Sequence, residues 1–237
     1  MMENNQISLN ASLITRVLVI AAFLLLLADI AGVFIKYFTA YEHVYKLINL
    51  FDFDRERNIP TGFSAFLLVF AAQLLAVITL LEKKRTSLYW IYWAILSFGF
   101  FIMAVDEVFA YHEKSIDPLS KLLGGGNLGV FHFTWVVPAI LFVFFLALFY
   151  LKFLLRLPSK TRLSFLIAAA LYLGGTIGCE LIGGHIYELH GIHNLTYGLI
   201  TTLEESLEIA GTIVFIWALL VYITSHYKDV QFRFRST

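Results

Sequence analysis

The stretch Ala104-Val-Asp-Glu-Val-Phe-Ala-Tyr-His-Glu113 places four ionisable side chains at the end of a long apolar run. Ionisable groups are costly inside the hydrocarbon core of a membrane, and those found there usually serve function. Two later stretches have the same character, from Glu180 to His190 and from Glu204 to Glu208. We expect the three stretches to meet in one polar cluster inside a bundle of membrane-spanning helices.

Composition indicates a membrane protein. The chain has 237 residues, of which 59% are hydrophobic and 14% are charged, whereas soluble domains carry about 25% charged residues. Basic and acidic residues balance at 17 each, so the net charge gives no indication of a nucleic acid partner. The single cysteine, Cys179, excludes an intramolecular disulfide and a cysteine-based metal site.

Six apolar stretches are each long enough to cross a bilayer core, which takes about 20 helical residues. We predict an all-α bundle of six transmembrane helices that forms a single domain over residues 1–237. The predicted spans are approximately residues 13–38, 61–81, 88–111, 130–155, 163–186 and 197–223. Residues 39–60 are predicted to lie flat on the membrane surface, and Pro60 suits the first turn of the second span.

Lysine and arginine are concentrated on one side of this topology. They follow the second span at residues 83–85, and they recur between the fourth and fifth spans and in the C-terminal tail. Because cytoplasmic loops carry the excess of lysine and arginine, we expect both termini to be cytoplasmic. The acidic stretches then all lie in the outer half of the bundle, and the inner half carries almost no ionisable groups.

The spacing within each stretch indicates which side chains can act together, since helical residues three or four apart share a face. Glu204 and Glu208 are four apart and can reach one zone. Asp106 and Glu113 lie about 10 Å apart along a helix, so they can grip one ion only if the helix breaks. The candidate metal ligands are Glu107, Glu180, Glu204, Glu208, Asp106, His112, His132 and His185. The residues expected to support these ligands are Glu113, Glu188 and Glu205.

A cluster of buried carboxylates has a charge problem, because neighbouring carboxylates cannot all remain ionised. They must share protons, pair with bases or bind a cation. Carboxylate with some imidazole favours iron or manganese, and zinc is a further option, so we expect one or two divalent ions. The Glu-x-x-His spacing of soluble di-iron bundles is absent, because His185-Ile-Tyr-Glu188 has the reverse order.

The leading functional hypothesis is an intramembrane metal-binding protein that acts as a hydrolase or oxidoreductase on a lipid or another membrane-accessible substrate. Two alternatives stay open. A proton- or cation-coupled transporter or channel subunit would use the same carboxylates, and a structural or assembly subunit would use them only to fix helix packing. Membrane lipids are the expected partners, and no catalytic residue, substrate or oligomeric state is assigned.

Several polar residues also have simpler interpretations. The stretch Glu204–Glu208 would face water if the sixth span began later, but the remainder is then too short to cross the membrane. Asp29 would pair with Lys36 or cap a neighbouring helix. Trp93 is expected at the membrane interface or facing lipid. The histidines expected to lie in solvated loops or away from the cluster are His43, His190, His193 and His226.

Four groups of residues carry a resemblance to known sequences. They are Phe53-Asp54 with Asn58-Ile-Pro-Thr61, Asp106-Glu107 with His112-Glu113, Trp135-Val-Val-Pro138, and Glu204-Glu205 with Glu208 and Gly211. On these residues the chain resembles a group of bacterial six-span membrane proteins with no assigned activity. The resemblance implies a multipass protein of the bacterial inner membrane and adds no substrate.

Overall fold

A computed structural model describes residues 10–38, 45–191 and 194–227 of the chain. Within those ranges the protein contains helices and no strands, and six helical segments are long and apolar enough to cross a membrane. The predicted all-α multipass architecture is therefore confirmed. The cytoplasmic placement of the termini stays a prediction, and the predictions for His43 and His193 fall outside the described residues.

The membrane-spanning segments follow the predicted apolar runs. Five are single helices: α1 Ala11–Phe38, α3 Ile59–Lys84, α4 Trp90–Phe109, α7 Val136–Arg156 and α10 Leu195–His226. The remaining span is composite, with α8 Ser159–Leu173, a π-helical turn Gly174–Cys179 and α9 Glu180–His190. The connections contain α2 Tyr45–Ile48, α5 Tyr111–Lys114, α6 Ile116–Leu122 and a 3₁₀ turn at Gly129–Phe131.

Two predicted boundaries differ from the structure for local reasons. The third span ends at Phe109 because Ala110 adopts a left-handed backbone conformation, with φ of 47°, that no α-helix continues through. The fourth span begins at Val136 and not near residue 130, because the preceding segment forms the 3₁₀ turn and then a bend.

Helix α10 is the centre of the bundle. It packs against α1, α3, α8 and the π-helical turn. Its side chains Ile216 and Leu219 are completely buried and belong to the same core as Leu67 and Leu75 of α3. Lipid tails are as apolar as these side chains, so close van der Waals packing holds the helices together.

Glycines permit the closest helix contacts. A Cβ atom at Gly211 of α10 would lie 2.7 Å from the backbone nitrogen of Tyr172 and 2.8 Å from the carbonyl oxygen of Ala168. A Cβ atom at Gly175 in the π-helical turn would lie 2.7 Å from the carbonyl oxygen of Glu204. Small residues at such positions are typical of membrane helix interfaces, and here they allow the fifth span to pack closely against α10.

The end of the bundle opposite the acidic stretches is closed by aromatic packing. Trp93 is 1% exposed, and its ring meets the rings of Phe153 and Phe165 edge-on at centroid distances of 5.0 and 6.1 Å. The predicted lipid-facing position of Trp93 is therefore wrong, and its interfacial depth stays a prediction. Edge-to-face contacts between aromatic rings favour this buried arrangement.

The segment before α3 folds back onto the bundle. Asn58 caps α3 by accepting a hydrogen bond from the Thr61 backbone nitrogen, and Pro60 lies in the first turn as predicted. The Asn58 side-chain amide donates a hydrogen bond to the Asp52 backbone carbonyl at 2.6 Å. Phe53 is buried in the core, so residues 49–58 pack against the helices and do not simply lie flat on a membrane surface.

Asp29 does not form the predicted pair with Lys36. Its carboxylate accepts hydrogen bonds from the Phe53 backbone nitrogen at 2.9 Å and the Thr202 hydroxyl at 2.7 Å. Lys36 instead lies 3.8 Å from the Asp52 carboxylate. Asp29 thereby joins α1 to residues 49–58 and to α10.

The close approach of α8 and α10 predicts that Gly211→Ala lowers the thermal stability of the protein. The added methyl group would meet backbone atoms that cannot move aside easily, and overpacking of this kind costs about 1–3 kcal/mol. The measurement is the apparent melting temperature in detergent. Gly99→Ala in α4 is the matched control, since a Cβ there meets nothing within 4 Å. Equal melting temperatures for the two variants would contradict this packing.

Candidate functional site

The structure brings glutamates from three membrane spans together at one end of the bundle. We call Glu107 of α4, Glu180 of α9, and Glu204, Glu205 and Glu208 of α10 the acidic cluster. Their carboxyl groups interact electrostatically across the helices: Glu107 with Glu208, Glu204 with Glu180, and Glu205 with both Glu107 and Glu208. Each side chain is half-buried. The residues of three distant stretches of sequence therefore occupy one zone, as expected.

The π-helical turn sets the geometry of the cluster. It ends at Cys179, so Glu180 is the first residue of α9, and the close contact at Gly175 seats the turn beside Glu204 and Glu208. The carboxyl groups of Glu180 and Glu204 lie close enough to share a hydrogen bond. Such a bond requires a proton on one of the two groups. Single π-helical turns inside longer helices occur frequently at functional sites.

Neutral side chains from neighbouring elements contact the cluster. The Trp135 indole nitrogen donates a hydrogen bond to the Glu180 carboxylate at 2.8 Å. The hydroxyl groups of Thr176 and Tyr172 lie within hydrogen-bonding reach of Glu208. Sequence reasoning missed these partners, because Thr176 and Tyr172 stand in an apolar span without any charged neighbour in sequence.

The break after α4 creates a carboxylate–histidine pair. The left-handed residue Ala110 reverses the chain, and the His112 backbone nitrogen then donates to Asp106 Oδ1 at 3.1 Å. His112 Nδ1 lies 2.6 Å from Asp106 Oδ2. Two contacts from one carboxylate fix the orientation of the imidazole. With Nδ1 engaged, Nε2 is the ring nitrogen available to a ligand or a proton.

The electrostatic surroundings keep His112 protonated. Burial lowers the pKa of its imidazole, but the hydrogen bond to the Asp106 carboxylate and the charge of that carboxylate raise it. Glu113 and Glu180 act in the same direction, and the resulting pKa is about 9. The His112 ring also packs against the Trp135 ring at a centroid distance of 4.9 Å. Trp135 therefore contacts both the histidine pair and the acidic cluster.

Two acidic residues of the segment before α3 lie near the site, Glu56 beside the acidic cluster itself and Asp54 beside Glu113. Sequence reasoning missed both as site residues. Burial and the charge of Asp52 raise the pKa of Asp54 to about 6. Partial burial and the charge of Glu113 raise the pKa of Glu56. Glu56 interacts electrostatically with both Glu107 and Glu205. The signal in the sequence was their place on the same side of the predicted topology as the acidic stretches.

Other predicted ligands lie elsewhere. His132 Nδ1 is 3.2 Å from the Glu188 carboxylate, which also accepts hydrogen bonds from the backbone nitrogens of Leu128 and Gly129 at 2.7 and 2.8 Å. This arrangement attaches the 3₁₀ turn to α9. His185 is exposed. The structure thus pairs His132 with Glu188 and does not place either residue among the glutamates of the acidic cluster.

The side chains do not stand ready around a single ion. Among the described residues, no group of three or more histidine, cysteine, aspartate or glutamate side chains is arranged to hold one metal. The close pairs are Glu180 with Glu204 and Asp106 with His112. Binding of a cation by the cluster would therefore require rotation of side chains within the site.

Comparison with known proteins identifies the family but no activity. The chain belongs to the family described as Domain of unknown function (DUF8692), which it matches over residues 14–223. Searches of curated proteins and of solved structures found no match to the chain. The family match covers all six membrane-spanning segments in whole or in large part, so the acidic cluster lies within the domain that defines the family.

The Asp106–His112 pair predicts that Asp106→Asn lowers the pKa of His112 from about 9 towards the ordinary value of about 6.5. The amide keeps an acceptor for Nδ1 but removes the charge. Histidine-selective NMR titration measures the change, and Asp117→Asn on the exposed face of α6 is the control.

The same substitution should alter the pH dependence of stability. A raised pKa in the folded state stabilises the protein fully below about pH 6.5, and this contribution is lost as the pH rises through about 9. Asp106→Asn should flatten that dependence. A His112 pKa that stays near 9 in the variant would show that Asp106 does not control it.

Proposed function

We propose that this member of a family of unknown function is an intramembrane metal-binding protein and a metal-dependent enzyme that acts on lipids. The observation that carries the proposal is the convergence of the acidic cluster with a histidine that Asp106 holds in a fixed orientation. We further infer that the site opens to the extracytoplasmic face of a bacterial inner membrane, with both termini in the cytoplasm.

The donor chemistry fits a divalent cation. Carboxylate oxygens with one imidazole suit iron or manganese, and zinc is also compatible. Histidines that bind metals commonly donate their second ring nitrogen to a carboxylate, which fixes the tautomer and the ring orientation. The Asp106–His112 pair has this arrangement, so His112 Nε2 is the assigned donor and Asp106 is the residue that orients it. The assigned carboxylate donors are Glu107, Glu180, Glu204 and Glu208.

The remaining residues of the site support this chemistry without contributing a donor. Trp135 holds Glu180 through a hydrogen bond and packs on His112, so it fixes the distance between the histidine and the carboxylates. Glu205 adds a further carboxyl group beside Glu107 and Glu208. An arriving cation would displace any proton that Glu180 and Glu204 share, since metal binding to such ligands releases protons.

A bound divalent metal would polarise a lipid carbonyl or phosphoryl oxygen, activate water or support a redox reaction. Hydrolase and oxidoreductase chemistry are both compatible with the donor set. A cation that binds His112 Nε2 would displace the proton held there, and the carboxylates of the site would accept protons. The substrate class follows from position, because a site within the span of the helices is reached most directly by lipids.

The proposal predicts that purified wild-type protein carries about one or two equivalents of iron, manganese or zinc and that a Glu204→Gln, Glu208→Gln double variant loses most of it. Glutamine keeps the size of the side chain but removes the charge that binds the cation. Elemental analysis by mass spectrometry, on protein purified without chelator and reloaded with each ion, makes the measurement. Asp117→Asn is the control. Equal metal contents in wild type and double variant would overturn the proposal.

A second candidate function is proton- or cation-coupled transport. The observation that favours it is the pair of Glu180 and Glu204, whose carboxyl groups are close enough to share a proton. Shared protons of this kind occur in the proton relays of pumps and transporters. The apolar core around α3 and the inner part of α10 argues against a continuous polar path through the bundle.

Transport predicts an ion flux in proteoliposomes that disappears in Glu204→Gln. A pH-sensitive dye inside the vesicles reports proton movement under an imposed gradient, and empty vesicles give the background rate. Flux in the wild type that the substitution abolishes would favour transport over the enzyme. Wild-type vesicles that leak no faster than empty ones would eliminate transport as the function.

A further inference from the structure

Asp29 is a buried carboxylate that belongs to no acidic stretch of the sequence. It is 1% exposed, and both of its oxygens are engaged, by the Phe53 backbone nitrogen and by the Thr202 hydroxyl. Both partners lie beside the functional site in sequence. Phe53 immediately precedes Asp54, and Thr202 stands two residues before Glu204.

We propose that Asp29 is a positioning residue that holds residues 49–58, the outer loop, against the acidic cluster. In this position the loop contributes Glu56 to the electrostatics of the cluster. The inference rests on the proposed function for what the cluster binds, whereas the holding of the loop is independent of it.

Hydrogen bonds within the outer loop hold it together as one unit. The Asn58 amide donates to the Asp52 carbonyl across the loop at 2.6 Å, and the Ile59 backbone nitrogen donates to the Leu50 carbonyl at 3.1 Å. Arg57 has a φ of 62°, a conformation that costs energy for a residue with a Cβ and persists only where neighbouring structure imposes it. Because these hydrogen bonds hold the loop together, fixing Phe53 also fixes the positions of Asp54 and Glu56.

Asp29 fixes the outer loop through its hydrogen bond to Phe53 and fixes that loop relative to α10 through its hydrogen bond to Thr202. Helix α1 carries Asp29 but no member of the acidic cluster, so the Asp29 carboxylate positions the site through the groups that it binds. The bond to Thr202 fixes the loop relative to α10, which carries three glutamates of the cluster. Glu205 also senses the charge of Asp29. Loss of Asp29 would therefore separate the loop from the cluster without removing any proposed ligand.

The first test compares Asp29→Ala with Asp29→Asn. Asparagine keeps an oxygen for the Phe53 N–H and an amide that can donate to the Thr202 hydroxyl, whereas alanine leaves both groups without their partner. Hydrogen–deuterium exchange is measured on peptides that cover residues 49–58. We expect exchange at Phe53 to be about 10-fold faster in Asp29→Ala, the effect of losing one intramolecular hydrogen bond, and close to wild type in Asp29→Asn, which keeps an acceptor oxygen.

The second readout is binding of Mn²⁺ to the detergent-solubilised full chain by isothermal titration calorimetry. Residues that orient a site without binding the metal typically change affinity by about 10-fold or more. We expect a weakening of about 10-fold in Asp29→Ala and rescue in Asp29→Asn. Thr202→Val, which removes one partner and keeps the shape of the side chain, should weaken binding in the same direction and serves if Asp29→Ala does not fold.

The outcomes separate this inference from the proposed function. Unchanged exchange of the outer loop in Asp29→Ala overturns the inference, and so does faster exchange with wild-type Mn²⁺ affinity, which would make Asp29 a purely structural residue. If the wild type binds no Mn²⁺, the proposed function fails by itself.

If the wild type binds no Mn²⁺, the inference is tested by how readily a water-soluble reagent reaches the acidic cluster. A Glu107→Cys reporter in a Cys179→Ser background is labelled with a water-soluble maleimide. Faster labelling when Asp29→Ala is added supports the hold on the loop. An unchanged labelling rate overturns it.

Discussion

The contact between the π-helical turn and α10 is the constraint on which the site depends. A Cβ atom at Gly175 would lie 2.7 Å from the Glu204 carbonyl oxygen and 3.0 Å from Glu208 Cγ, so only glycine allows the two backbones to meet here. Because Glu180 follows the turn directly, the same contact brings it to the glutamates of α10. In lipid, where apolar burial gives helices little preference for one another, such steric fit determines which polar groups become neighbours.

The fold and the location of the site follow from the sequence because both depend on one-dimensional patterns. Apolar runs of sufficient length define six spans, and alternation of direction sends the three acidic stretches to the same end. Contacts that depend on how elements turn are not encoded in this way. Nothing in the residues around Ala110 requires a left-handed conformation, yet that single residue decides that His112, and not Glu113, folds back onto Asp106.

The same distinction explains which polar residues were misplaced. Spacing along α9 shows that Glu188 lies more than two turns beyond Glu180, but it does not show that the 3₁₀ turn packs there and offers backbone nitrogens to Glu188. His132 follows that turn and lies beside Glu188, so it is not part of the cluster. Glu56 comes close to the cluster, and the segment that carries it is held against the bundle by Asp29 and by buried Phe53. These outcomes depend on tertiary hydrogen bonds that no periodicity records.

Metal binding and proton transfer draw on one physical property of the site. The acidic cluster holds more carboxyl groups than the single nearby imidazole of His112 can neutralise, and in surroundings of low dielectric the excess charge must be met by protons or by cations. The closeness of Glu180 and Glu204 is compatible with a shared proton, whereas the oriented Nε2 of His112 is a feature that protonation alone does not need. An enzyme requires that oriented donor, whereas a relay requires a further polar partner on the far side of the cluster. Beyond Glu208 the packing of α10 against α3 is largely apolar, with Thr212 as the buried polar side chain that follows on α10, and we therefore favour the enzyme as the proposed function.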